Sequence, residues 1–396
     1  MKIRFAPLSI PEGVAPADWG SWGWQMRHAL TSEADFAAEF RLSPEERAGF
    51  VGAGQAFEIR CTPYYARLAS RELPLDPIRR ILMPTGQELI AGLQQMRDPL
   101  GERQNSPVPR IVHRYPDRCL LLATDACAVY CRYCTRKHFT AGSQSLLKAS
   151  EYDQALSYIK ARPGLREVIL SGGDPLTLGD RQIERVLADL RSIEHVEVIR
   201  IHSRMPVVCP MRVTPELARV IQAHHPVFVM THFNHPRELT ADAARAISLL
   251  VDHGAPVFNQ LVLLNGVNNS PAIVQALSRR LLFLRAKPYY MFQCDPSEGT
   301  DHLRTSIDDS LSIQRELWGR ISGLAMPNFS VDIPSGGGKA GLVPDFEVER
   351  RGETREFVGW DGVRAPYVSP AAGSIIKPLD DELYREEWEA LKRARG

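Results

Sequence analysis

Cys127, Cys131 and Cys134 stand together in the run Cys127-Ala-Val-Tyr-Cys131-Arg-Tyr-Cys134. Three thiolates at C-x3-C-x2-C spacing suit a [4Fe-4S] cluster that keeps one iron open for another molecule. Zinc usually takes paired C-x2-C units or a Cys/His set of four, and no second pair occurs here. A zinc site and three unrelated thiols are the competing readings. A second segment, Ser171-Gly172-Gly173-Asp174-Pro175-Leu176, offers two glycines past which a ligand can approach backbone closely. An ordinary strand-to-helix turn uses the same residues. The third segment is Ser335-Gly336-Gly337-Gly338-Lys339. It is not a Walker loop, because Ile333 replaces the first glycine and Ala340 the final Ser or Thr. A lysine on a glycine arm can reach an aldehyde and swing away again, as pyridoxal 5′-phosphate (PLP) chemistry requires. A surface glycine loop with a chance lysine is the alternative.

These residues need a scaffold, and 396 residues are enough for a large core and more than one average domain. Apolar residues make up 44% and charged residues 24%, the balance of an ordinary globular chain. A net charge of +1 gives no basis for electrostatic capture of nucleic acid or an anionic membrane. No apolar run reaches the roughly 18 residues of a membrane span. Met1 to Pro7 lacks the apolar core of a secretion signal. Seven cysteines, three of them clustered, suit metal ligation in a reducing cytoplasm better than a disulfide frame.

Residues 1–108 read as a helical, loop-rich region in which Trp19, Trp22 and Trp24 pack a cap. From 109 to 326, short apolar runs alternate with amphipathic stretches. The runs are Cys119–Thr124, Val168–Ser171, Val196–Ile201, Val227–Met230, Val257–Leu263 and Pro288–Phe292. Helix-like stretches such as Gln182–Leu190 and Ala241–Asp252 lie between them. The alternation predicts βα units on a parallel sheet. Polar residues just after the strands favour a partial (β/α)6 barrel over a doubly wound sheet. Residues 327–396 form a C-terminal segment: a strand at Asn328–Ile333, the glycine arm, a charged tail and a helix at Asp380–Arg393.

Together the motifs resemble the lysine 2,3-aminomutases, radical S-adenosylmethionine (SAM) enzymes that also use PLP. The resemblance runs from the Trp-rich stretch at Asp18–Gln25 to about Pro370. It is carried by His113–Arg118, the cysteine loop continued by Thr135-Arg136, the Ser171 motif and His202–Val208. Thr231–Pro236, Tyr289–Asp295 and Asp332–Lys339 complete it. It implies that Cys127, Cys131 and Cys134 hold the cluster, whose open iron binds SAM. Tyr133, His232, Gln260 and Ser171-Gly172-Gly173-Asp174 would lie on the SAM side. Lys339 would carry PLP, with Arg114, Tyr115 and Arg118 around its phosphate and ring. Arg136 would clamp the substrate carboxylate. The implied reaction interchanges hydrogen and the amino group between C2 and C3 of an α-amino acid.

The resemblance also implies that Asp295 and Asp332 face the distal end of the substrate. Two carboxylates there favour a cationic side chain, lysine first and arginine second; glutamate-specific relatives carry non-acidic residues at both positions. By their residue type alone, Asp332 reads as a strand-end cap and Asp295 as a turn. One departure concerns zinc. Ser270 stands where an interior cysteine of the clostridial-type zinc site belongs, and no cysteine follows Cys294, so no structural zinc is expected. A relative that makes β-lysine to modify a translation elongation factor has a shorter N-terminus and lacks the paired acids. A radical SAM enzyme acting on RNA is disfavoured by the absent basic surface and by the Lys339 arm. A cluster-bearing electron carrier would use four ligands. An electron donor such as flavodoxin or ferredoxin, and a homo-oligomer, complete the expectation.

Overall fold

A computed structural model of the chain describes residues 3–52, 57–90, 92, 94–140, 148–370, 378 and 381–393. Its centre is one sheet of nine strands in sequential order. They are β1 (Ile111–Tyr115), β2 (Arg118–Thr124), β3 (Glu167–Gly172), β4 (Val198–His202), β5 (Val227–Thr231), β6 (Val257–Leu263), β7 (Ala286–Gln293), β8 (Asn328–Ile333) and β9 (Gly338–Gly341). Strands β2 to β8 run parallel, each paired with the next. β1 and β9 are antiparallel additions at the two ends.

The six apolar runs expected as strands are β2 to β7. The expected strand at Asn328–Ile333 joins them as a further parallel member of the same sheet. The expected (β/α)6 unit is therefore extended by the strand that leads into the lysine arm. The two sheet ends meet side to side: Tyr115 Oη at the end of β1 accepts a hydrogen bond from Lys339 N on β9 at 3.2 Å. Arg114 of β1 pairs with Asp332 of β8 at 3.1 Å. The seam of the barrel thus lies at the lysine arm.

Helices cover the outside through one apolar stripe each. Asp180–Arg191 buries Ile183, Val186, Leu187 and Leu190, the i, i+3, i+4, i+7 face of a helix. Ala241–Asp252 matches its expected bounds, and Thr240 caps it by accepting from Ala243 N at 3.1 Å. Along each inner strand, alternate residues turn inward. On β6, Val257, Asn259, Leu261 and Leu263 are buried against the helices, while Phe258, Gln260 and Val262 line the barrel cavity. The period-two side-chain alternation of a strand is what delivers Gln260 to the site.

The N-terminal region is a set of short helices with Ser, Thr or Asp caps, among them Glu33–Glu39 behind Ser32 and Pro44–Val51 behind Ser43. It is pinned by an internal ion pair in which Arg79 and Glu46 are 0% and 4% exposed, with N···O at 2.7 Å. Trp19 is buried against Tyr64 as the cap reading expects. Two features were not expected from the sequence. One is β1. The other is a three-stranded antiparallel sheet, β10 (Glu347–Arg351), β11 (Thr354–Val358) and β12 (Arg364–Val368), inside the charged tail. The terminal helix spans Asp381–Arg393; Asp380, its expected first residue, lies outside the described residues. Among the described residues no helix is long and apolar enough to cross a membrane.

Candidate active site

Every site residue named from the sequence lines one cavity of about 850 Å³ inside the barrel. The cysteine loop enters it directly from β2. Thr124 Oγ1 accepts from Ala126 N at 3.1 Å, and Ala126 O accepts from Asp174 N at 2.8 Å. The loop is gripped from the N-terminal side: Tyr130 N donates to Arg60 O at 3.0 Å and Arg132 N to Ile81 O at 3.1 Å. The Arg132 side chain, 2% exposed, forks onto the fully buried Glu88 carboxylate at 2.9 and 2.6 Å. Arg132 therefore anchors the loop from outside while its neighbours Cys131 and Tyr133 line the cavity.

Burial and mutual proximity push the Cys127 and Cys134 thiols above their ordinary range. A positive centre at the site would favour their thiolate forms. Among the described residues, no three His, Cys, Asp or Glu side chains converge tightly enough to hold a single metal ion. A cubane makes a different demand, one iron for each thiolate around a shared space, and all three cysteines line the one cavity. Arg204 stands beside them. Its Nη1 lies 2.6 Å from Cys131 Sγ, and its Nη2 meets Tyr65 Oη at 2.7 Å and Glu238 Oε1 at 2.9 Å.

The glycine segment closes β3. Gly172 has φ +115°, and a Cβ on Gly173 would sit 2.3 Å from Ala126 O. Only glycine lets this turn lie flush on the cysteine loop. Asp174 is committed within the chain. It accepts from Leu176 N, Ser203 Oγ, Arg204 N and Met205 N at 3.0, 2.6, 2.7 and 3.1 Å, so it ties the ends of β3 and β4 together. Tyr133 stacks on His232 with centroids 5.6 Å apart, and its hydroxyl accepts from Asn234 Nδ2 at 2.6 Å. Burial pushes the His232 pKa down to about 3, which keeps the ring neutral. Gln260 Nε2 and His202 Nδ1 lie 3.1 Å apart. Together these groups make a neutral, aromatic wall.

The opposite wall is charged. Lys339 follows an arm in which Ser335 adopts φ 61° and Gly336 φ 85°, a left-handed bend that turns the chain back onto β8. Lys339 Nζ sits 3.5 Å from Asp332 Oδ1 and 5.2 Å from the Phe292 ring centroid. The Arg118 guanidinium covers the Tyr115 ring at 3.9 Å. Arg114, Tyr115, Arg118 and Lys339 thus gather cationic and phenolic donors around one amine. That donor set fits a phosphorylated aldehyde, with cations for the phosphate and an amine for the carbonyl. Burial, then the charge of Asp332, pushes the Asp295 pKa up to about 7.

Arg136 lies between the walls. Its Nη1 donates to Ser171 Oγ at 2.7 Å, while Nε and Nη2 reach Glu102 at 2.8 and 2.6 Å. Glu102, Arg204, Tyr65 and Glu238 were not singled out from the sequence. Arg204 falls inside the His202–Val208 stretch but has no motif of its own. Glu102 precedes β1 in a loop without periodicity. Ser270 precedes the helix Pro271–Phe283, and its carbonyl accepts from Val274 N at 3.1 Å.

Comparison with known proteins agrees with this architecture. Residues 121–274 match the family model of the Radical SAM superfamily. The L-lysine 2,3-aminomutase of Fusobacterium nucleatum is 40% identical over 376 residues, covering 95% of this chain and 88% of that protein. The L-lysine 2,3-aminomutase of Clostridium subterminale is 41% identical over 357 residues, covering 90% and 86%. The glutamate 2,3-aminomutase of Clostridioides difficile is 37% identical over 355 residues, covering 90% and 84%. The fold and the three-cysteine cavity are those of a radical SAM enzyme, for which a [4Fe-4S] cluster and SAM are implied. Within that class the chain belongs to the lysine 2,3-aminomutase family of isomerases.

Proposed function

We propose that this protein is a PLP-dependent L-lysine 2,3-aminomutase that forms β-lysine. Family membership does not select the substrate, because a glutamate 2,3-aminomutase is 37% identical. The observation that carries the choice is the acidic pair Asp295 and Asp332 in the cavity that also holds Lys339 and Arg136. Two carboxylates, Asp332 buried and Asp295 partly so, suit a cation and oppose the side chain of glutamate.

Each residue then has a task. Cys127, Cys131 and Cys134 hold the cluster. Tyr133, His232, Gln260, Ser171, Gly172 and Gly173 surround SAM, and Asp174 keeps that turn in register. Arg114, Tyr115 and Arg118 hold PLP by its phosphate and ring, and Lys339 holds it by its aldehyde carbon until a substrate amine takes that place. Arg136 grips the α-carboxylate and the two aspartates grip the ε-ammonium, so C2 and C3 are held in place between two fixed ends. When bound, the cluster and SAM supply a 5′-deoxyadenosyl radical for hydrogen transfer at C3, and PLP supplies the π-system that carries the amino group. The barrel wall and the N-terminal helices keep water from that chemistry. An electron donor such as flavodoxin or ferredoxin, a homo-oligomer, a cytoplasmic location and the absence of structural zinc belong to the same reading.

The test is anaerobic turnover of reconstituted enzyme with PLP, SAM and a reductant on L-lysine, L-arginine or L-glutamate. β-Lysine is the expected product. β-Arginine would keep the chemistry and move the enzyme to a specialised pathway. SAM cleavage with no isomer from any of the three would overturn the substrate assignment.

A further inference from the structure

The segment from Asp98 to Ser106 lies ahead of β1 and has no role in the reading so far. It enters the site as a rigid turn. Asp98 accepts Glu102 N at 2.8 Å and Arg103 N at 2.9 Å, which fixes where Glu102 points. Ser106 Oγ donates to Glu102 O at 2.7 Å and Asn105 Nδ2 to Gly101 O at 2.7 Å. One side of this turn is fastened to the lysine arm. Pro99 O accepts Ser335 N at 2.9 Å, and Gln104 Nε2 donates to Ser335 O at 2.5 Å. Leu100 O accepts Arg114 Nη1 at 3.2 Å. Gly101, at φ +63°, packs so closely that a Cβ there would lie 2.9 Å from the Ser335 carbonyl carbon.

From the other side of the turn, Glu102 reaches Arg136. Its carboxylate accepts from Nε at 3.0 and 2.8 Å and from Nη2 at 2.6 Å. A guanidinium on a flexible stem is thereby held in one plane, with Nη1 directed to Ser171. The same nine residues therefore touch both the arginine and the arm.

We propose that Glu102 is a positioning residue for the substrate carboxylate, holding the Arg136 guanidinium at a fixed place relative to the Lys339 arm. An amino acid gripped by its carboxylate then arrives with its α-amino group in reach of the PLP carried by Lys339. This rests on the assignment of Arg136 as the carboxylate clamp. Displacement of Glu102 by substrate is the rival idea. It would require giving up the contacts of the Glu102 carboxylate with Nε and Nη2, whereas a guanidinium can serve two carboxylates on separate edges.

The test compares L-lysine with 1,5-diaminopentane, the same chain without its carboxylate. Binding of each to PLP-loaded enzyme without SAM is followed by visible absorption for wild type, Glu102→Gln, Glu102→Asp and Arg136→Gln. Glu102→Gln should weaken L-lysine binding on the order of tenfold or more and leave the diamine unchanged. Glu102→Asp, which keeps the charge, should recover part of the loss. Equal weakening of both ligands would mean a merely structural role, and unchanged or tighter lysine binding would mean no role or competition; each overturns the inference. If Arg136→Gln discriminates between the ligands and Glu102→Gln does not, Glu102 alone is misassigned. If Arg136→Gln does not discriminate either, the carboxylate-clamp assignment fails and takes the inference with it.

Discussion

Lys339 Nζ rests 3.5 Å from Asp332 Oδ1, the same oxygen that Arg114 Nη2 approaches at 3.1 Å. The amine assigned to PLP is therefore parked against a carboxylate assigned to the substrate cation. One acid, 8% exposed, serves the arm and the arginine of β1 across the barrel seam. Removing its charge should loosen both the arm and the cation site. Asp332→Asn is expected to lower kcat/KM for L-lysine by about ten- to a hundredfold, the scale of one charge-assisted hydrogen bond. Asp295→Ala with Asp332→Ala should abolish turnover of a cationic substrate while iron content stays unchanged. Steady-state kinetics beside an iron assay would decide it, and unchanged kinetics in the double variant would remove the substrate argument.

Asp295 brings a pH dependence. It is an acid whose pKa is pushed from 3.8 to about 7 by burial and by Asp332. A raised pKa means that the folded chain binds this proton more tightly than the unfolded chain does. Its contribution to stability is complete below the unfolded value and is lost as pH rises through about 7. Thermal melts of the cofactor-free protein should show that loss in wild type, and Asp295→Asn should flatten it. Ligand binding runs the other way. The second negative charge appears only above the raised pKa, so affinity for L-lysine should climb through neutrality. Asp332→Asn should shift that climb to lower pH. A climb unmoved by Asp332→Asn would exclude the two acids as a coupled pair.

The turn at Gly173 sets a steric prediction. A Cβ there would meet Ala126 O at 2.3 Å, against backbone that cannot rotate away. Gly173→Ala should push the cysteine loop outward and reduce cluster loading after reconstitution. Gly341, on the lysine arm with nothing within 4 Å of an added Cβ, is the control. Iron and sulfide per chain, with the cluster absorption band, provide the readout. Full loading in Gly173→Ala would show that the contact between β3 and the cysteine loop is not what shapes the cluster site.

Strands β2 to β7 could be read from the sequence because each carries a short apolar run whose burial needs no long-range information. β1 could not: Ile111-Val-His-Arg-Tyr115 offers two apolar residues and then a polar stretch aimed at the seam. β10 reads Glu347-Val-Glu-Arg-Arg351 and is largely exposed, so no apolar alternation marks it. The proposed site residues could be named from spacing and resemblance because the three-cysteine loop and the arm lysine are local motifs. Glu102 was out of reach for a different reason. Its meaning depends on a contact with Arg136, 34 residues away, that only the folded chain creates.

Arg204 supplies the remaining prediction. Its guanidinium contacts Cys131 Sγ and is braced by Glu238, which is fully buried, and by Tyr65. A fixed cation against one thiolate ligand stabilises the electron-rich reduced cluster more than the oxidised one, which raises the reduction potential. Arg204→Gln keeps much of the volume and some hydrogen bonding but removes the charge. Its cluster potential should become more negative by tens of millivolts. It should also leave the Glu238 carboxylate buried without its cation, at a cost of about 3–5 kcal/mol in stability. Arg204→Gln with Glu238→Gln should recover stability but not potential, because it is the arginine and not Glu238 that meets the Cys131 sulfur. Anaerobic potentiometry monitored by electron paramagnetic resonance, beside thermal melts, separates the two effects. A potential that recovers in the double variant would mean that net burial of charge, and not the Arg204–Cys131 contact, tunes the cluster.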